Sequence, residues 1–124
     1  MLPTGSASAT VRTLRVGCGR LGARLQQLGV TRLDLASIDV EGLEQLVVDT
    51  LVDETAGISI GVLIVEVRAD GRRMELLSRL LNRGFRYVGQ IEARGTRTTA
   101  VFDDVYANLS HLRTSFPRSA ALYS

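Results

Sequence analysis

An apolar run ends at residues 37–42 in SIDVEG, which sets Asp39 and Glu41 one residue apart ahead of Gly42. A second run, GVLIVEV at 61–67, carries Glu66 near its end. A carboxylate at the C-terminal end of a core strand can accept a hydroxyl proton or hold the hydroxyl in line for transfer. Asp39 is therefore the candidate catalytic residue, and Glu41 and Glu66 are candidate substrate-binding residues. The same pattern also suits the start of a helix. Asp39 would cap it, Glu41 and Glu44 would complement its dipole, and Gly42 would allow close packing. Glu66 likewise either meets substrate or pairs with Arg68 or Arg72. Both readings stay open at this point.

A second chemical motif is GCGRLG at 17–22, which satisfies G-x-G-x-x-G and is followed by Asp39, 22 residues after Gly17. In a dinucleotide site Gly17 makes the tight turn, Gly19 lets the backbone approach a pyrophosphate, Gly22 permits close packing and Asp39 binds ribose. The stretch before it carries Arg12 and Arg15, whereas the first strand of such a fold is central and nearly free of charge. The alternative is that these glycines form a surface loop.

Composition removes other chemistries. All 15 basic residues are arginine, so neither a Schiff-base lysine nor the lysine of a P-loop is present. The single Cys18 excludes an internal disulfide, and His111, the only histidine, has no second histidine or cysteine near it in sequence. Metal chemistry is set aside on these grounds. A net charge of +2 is too small to argue nucleic-acid binding. The longest apolar stretch, ISIGVLIV at 58–65, is less than half the roughly 20 residues that span a bilayer.

The 124 residues suffice for one core. The spacing predicts a short strand at 11–16 and a helix at 20–29 with Leu21, Leu25 and Leu28 on one face. It then predicts a strand at 33–38 buried on both faces, and a helix at 41–52 burying Leu43, Leu46, Val47 and Leu51. A buried strand at 61–67 leads to a helix at 72–83 with Met74, Leu77 and Leu81 inward. Strands at 85–91 and 98–106 flank the turn ARGTRT as an antiparallel hairpin, and a short helix over 107–116 precedes Pro117. The expected fold class is α/β with a Rossmann-like mixed sheet, mostly parallel with a C-terminal antiparallel hairpin. In such sheets ligands sit beyond the C-terminal ends of parallel strands, where Asp39, Glu41 and Glu66 fall. Residues 1–10 read as a leader, 11–116 as the domain and 117–124 as a tail.

The segment Ile38, Asp39, Val40, Glu41, Gly42, Leu43 and Glu44, the following strand that reaches Glu66, and Gly84-Phe85 together resemble the C-terminal half of FkbM-type methyltransferases. The resemblance runs from about Val11 to about Phe116 and is most specific at SIDVEGLE. It implies a partial methyltransferase fold, S-adenosylmethionine as cofactor, and O-methylation of a small molecule or sugar acceptor. The D-x-G-A-N-x-G-type loop that holds the cofactor in such enzymes does not occur in these 124 residues, and GCGRLG stands in the wrong place for it. The expectation is therefore a fragment with no cofactor-binding residue of its own, inactive alone. The alternatives are a dinucleotide-binding module using GCGRLG, or a non-catalytic module whose open sheet edge is covered by a protein partner. Neither nucleic acid nor membrane is expected as a partner. The compartment implied is cytoplasmic, with an organelle as the alternative because residues 1–32 hold five arginines and no acid.

Overall fold

The computed structural model describes residues 10–53, 57–68, 70–94 and 101–117. The elements follow as α1 (Leu21–Gln27), β1 (Arg32–Ile38), α2 (Glu44–Leu51), β2 (Ser59–Arg68), α3 (Gly71–Asn82), β3 (Phe85–Arg94), β4 (Val101–Asn108) and α4 (Leu109–Ser115). They build an α/β fold around one four-stranded sheet in the order β1-β2-β4-β3. β1 and β2 run parallel, joined through α2, while β4 is antiparallel to both β2 and β3. The expectation of a mostly parallel sheet is thus corrected. Inserting β4 between β2 and β3 turns two of the three pairings antiparallel.

Register places Leu63, Val65 and Val67 of β2 beside Tyr106, Asp104 and Phe102 of β4. Because side chains alternate across a sheet, these six share one face. The apolar ones pack in the same core as Val48 and Leu51 of α2 and Leu76 and Leu80 of α3. Here the helix faces differ from expectation. Leu76 and Leu80 are buried while Met74 and Leu81 are exposed, and Leu43 and Leu46 are exposed while Val48 is buried. α3 offers two overlapping apolar stripes, and contact with the sheet selects the one that carries Leu76 and Leu80.

Two further expectations fail at the N-terminal side. Residues 10–20 form neither strand nor helix, with Val11, Leu14 and Val16 exposed. A short apolar pattern without a pairing partner has nothing to hold it extended. β1 forms as predicted but is an outer strand rather than one buried on both faces. Ile38 is its only buried residue, and Leu35 is 59% exposed. The hairpin strands pair antiparallel as expected, from Phe85 with Asn108 to Arg94 with Val101. Its tip, at 95–100, lies outside the described residues, as do most of the leader and tail.

α4 is held on the start of the parallel pair by His111. This ring is buried, with Nδ1 2.7 Å from Ser59 Oγ and Nε2 2.8 Å from Asp34 Oδ1. A carboxylate only accepts, so Nε2 carries the proton toward Asp34, and in the neutral ring Nδ1 accepts from the Ser59 hydroxyl. Asn108 caps α4 by accepting from the His111 backbone N–H, and Arg32 donates to Ser115 Oγ. The ring lies against Gly61. A Cβ there would stand 2.7 Å from the Asp34 carbonyl oxygen and 2.8 Å from His111 Cδ2, which is why this strand position is glycine.

Tyr106 is fully buried, and its hydroxyl has no hydrogen-bond partner among the described residues. Burial, reinforced by the Asp104 charge, pushes this phenol up to about 12. The unfolded chain releases the proton near the ordinary value of about 10, so the folded state holds more protons between roughly pH 10 and 12. Stability present below pH 10 is accordingly lost as pH rises through that window. Tyr106→Phe removes an unsatisfied polar atom without a cavity, and is expected to raise stability by about 1 kcal/mol at neutral pH and to flatten the alkaline loss. Urea unfolding of both proteins at neutral pH and at about pH 11 measures both effects.

Candidate functional site

The chain after β1 does not start a helix at Asp39. α2 begins at Glu44 with Leu43 at its N-cap position, and no side chain caps it. Residues 39–43 instead form a turn in which Glu41 and Gly42 both take positive φ, 55° and 98°. A non-glycine residue in the left-handed region costs of order 1 kcal/mol or more. Glu44 folds back over this turn, its Oε1 accepting from the N–H groups of Val40 and Gly42, each at 3.1 Å. Gly42 serves the backbone conformation and not close packing, since nothing lies within 4 Å of where its Cβ would be. Helix initiation therefore accounts for Glu44 alone and leaves Asp39 and Glu41 without that role.

β2 reaches its C-terminal end beside this turn, because Ile38 is in register with Val65. One residue further, Glu66 brings its carboxylate to the other two. Oxygens of Asp39, Glu41 and Glu66 all lie within 4.8 Å of one another. Asp39 and Glu41 are exposed and Glu66 is half-buried. A hard divalent cation bonded to oxygen at roughly 2.3 to 2.6 Å could be shared by such a set, which needs neither histidine nor cysteine.

Beside the cluster opens a cleft of about 330 Å³ between α2, the end of β2 and the first turns of α3, with Glu41 and Glu66 in its wall. Asp39 stands at its rim, outside the lining residues but in reach of both wall carboxylates. Arg68, Arg72, Arg73 and Arg79 also line the cleft and make it basic as well as acidic. Arg73 is fixed by a two-pronged bond to Asp104, from Nε at 2.7 Å and from Nη2 at 3.0 Å, and its guanidinium carbon lies 5.3 Å from the Phe102 ring centre. That hydrogen bond, together with the carboxylate's charge, holds the guanidinium above its ordinary value. Tyr87 donates to the same carboxylate at 3.3 Å, and burial raises its phenol. Arg79 bonds Asp49 at 2.6 Å, which raises it likewise.

The three acids singled out by strand-end position thus come together at one cleft. GCGRLG does not form the strand-turn-helix its motif requires, since among the described residues no strand precedes it and α1 has only seven residues. The sequence carries no local signal for the Arg73–Asp104 pair, 31 residues apart, or for the His111–Asp34 pair, 77 apart.

No protein-family model matches the chain, and no curated protein or solved structure matches it either. Among the described residues no helix is long and apolar enough to cross a membrane.

Proposed function

We propose that this chain is the acceptor-binding part of an S-adenosylmethionine-dependent methyltransferase of FkbM type, acting on a hydroxyl of a small molecule or sugar. The observation that carries the reading is the convergence of Asp39, Glu41 and Glu66 within 4.8 Å, at the C-terminal ends of the two parallel strands and beside a cleft. Ligands of open α/β sheets occupy that position. Asp39 would take the proton of the acceptor hydroxyl or orient that hydroxyl for methylation, and Glu41 and Glu66 would hold the acceptor's remaining hydroxyls. The cofactor supplies the electrophilic methyl; alignment by these residues supplies most of the rate.

A second feature supports a complementary half. A nearly continuous apolar strand such as β2 is the pattern of a sheet covered on both faces. On the face away from Leu63 and Val65, however, Val62 and Ile64 remain half-buried. Their register partners Leu35 and Val105 are exposed and half-buried, and β1 is an outer strand. The cofactor half would add strands beyond β1 and cover this face.

The reading predicts that calorimetric titration of residues 1–124 gives no micromolar binding of S-adenosylmethionine. Micromolar binding would show that the cofactor site lies within this chain. Tight NADH binding abolished by Gly19→Val would replace the reading with a dinucleotide module.

A further inference from the structure

The cleft holds more charge than its internal pairs consume. Arg73 is given to Asp104, and Arg79 to Asp49 and Glu75. Glu44 is given to the turn, while Asp70 accepts the Arg72 backbone N–H at 3.0 Å. Glu66 is engaged as well. Among the described residues this leaves the guanidinium groups of Arg68 and Arg72, and the carboxylates of Glu41 and the rim residue Asp39, without a side-chain partner. These two sets do not pair with each other. The like charges of Asp39 and Glu41, whose carboxylate oxygens come within 4.8 Å of each other, repel.

We propose that the cleft binds a small hydroxylated molecule bearing an oxyanion, carboxylate or phosphate, with the oxyanion on Arg68 and Arg72 and a hydroxyl toward Glu41 and Asp39. The inference rests on the acceptor reading above and names the acceptor's class. Arginine suits the basic end because its planar fork matches two oxygens of a carboxylate or phosphate. Arg72 stands in the first turn of the 12-residue α3, where the helix dipole also favours negative charge. At the acidic end carboxylates only accept, so they select a hydroxyl and repel a second anion. The opposite charges of the two sets favour one orientation, which directs a hydroxyl, and not the oxyanion, to Asp39. The volume of about 330 Å³ lies at the small end of ligand pockets.

The test is calorimetry on residues 1–124 at low salt with four probes: glucose 6-phosphate, glucuronate, glucose and inorganic phosphate. At least one sugar anion is expected to bind roughly tenfold or more tightly than both glucose and phosphate. Preference between the two anions distinguishes phosphate from carboxylate. The double variant Arg68→Gln, Arg72→Gln is expected to lose that advantage, and Glu41→Gln to narrow the gap between sugar anion and phosphate. All three positions are exposed, and matching thermal melts establish that the variants fold. Glucose binding as tightly as its anions, phosphate binding as tightly as both sugar anions, or unchanged affinity in the double variant overturns the proposal. No methyl donor enters this titration. Failure of methyl transfer with binding intact therefore counts against the methyltransferase reading alone, and transfer to neutral sugars only counts against the oxyanion.

Discussion

Asp104→Ala is expected to destabilise the fold by about 3 to 5 kcal/mol, the largest stability effect among the positions described here. The carboxylate is 1% exposed and receives two bonds from Arg73 and one from the Tyr87 hydroxyl. Its removal leaves unpaired the guanidinium of Arg73, whose side chain is 26% exposed, takes this acceptor from the Tyr87 hydroxyl, and opens a gap under α3. A loss of that size is a large part of the roughly 5 to 15 kcal/mol that holds a domain together. Urea unfolding followed by circular dichroism measures it. The cost comes from an uncompensated charge, so the double variant Arg73→Met, Asp104→Leu is expected to recover most of the loss. A double variant as unstable as Asp104→Ala would show that the pair holds α3 in some other way.

On the proposed function, Asp39→Asn in a chain that also carries the cofactor half is expected to lower turnover in methyl transfer by roughly 10² to 10⁴ while leaving stability within about 0.5 kcal/mol. Asparagine keeps the shape and loses both the charge and the capacity to take a proton. Asp39 is exposed and caps no helix, so the fold does not need its charge. Relief of its repulsion with Glu41 and Glu66 acts in the stabilising direction. Because Asp39 stands at the rim beside the two wall carboxylates, the loss should fall on kcat more than on KM.

The elements most legible in the sequence are those whose signal is local. β2 announces itself by an uninterrupted apolar run, the β3–β4 pair by two patterned runs around a glycine turn, and α3 by its length and periodicity. β1 was legible as a strand but not as an outer one, because LDLASI reads the same whether one edge or two are paired. The inward face of α3 was ambiguous, since Leu76, Leu77, Leu80 and Leu81 fill two adjacent stripes and only the sheet decides between them. The strand expected at 11–16 rested on three apolar residues, and strand formation needs a partner that local pattern cannot supply.

The candidate site was legible for one reason: position at a parallel strand's C-terminal end is a local property, and Asp39, Glu41 and Glu66 all have it. The turn that frees Asp39 and Glu41 from capping was not legible, because it depends on positive φ at consecutive residues and on Glu44 folding back. Nor was the basic lining. Which arginines are consumed and which are left over follows from contacts across 31 residues, from Arg73 to Asp104, and across 30 residues, from Asp49 to Arg79, set by register and helix placement.

The most direct measurement is transfer of a tritiated methyl group from S-adenosylmethionine by a chain that carries these residues in frame behind a D-x-G-A-N-x-G half, comparing wild type with Asp39→Asn under saturating acceptor. Methylated hydroxyl product and a fall in kcat of roughly 10² or more in the variant are the results expected from the proposed function. Equal kcat in the two proteins would contradict it, as would product methylated at an atom other than oxygen.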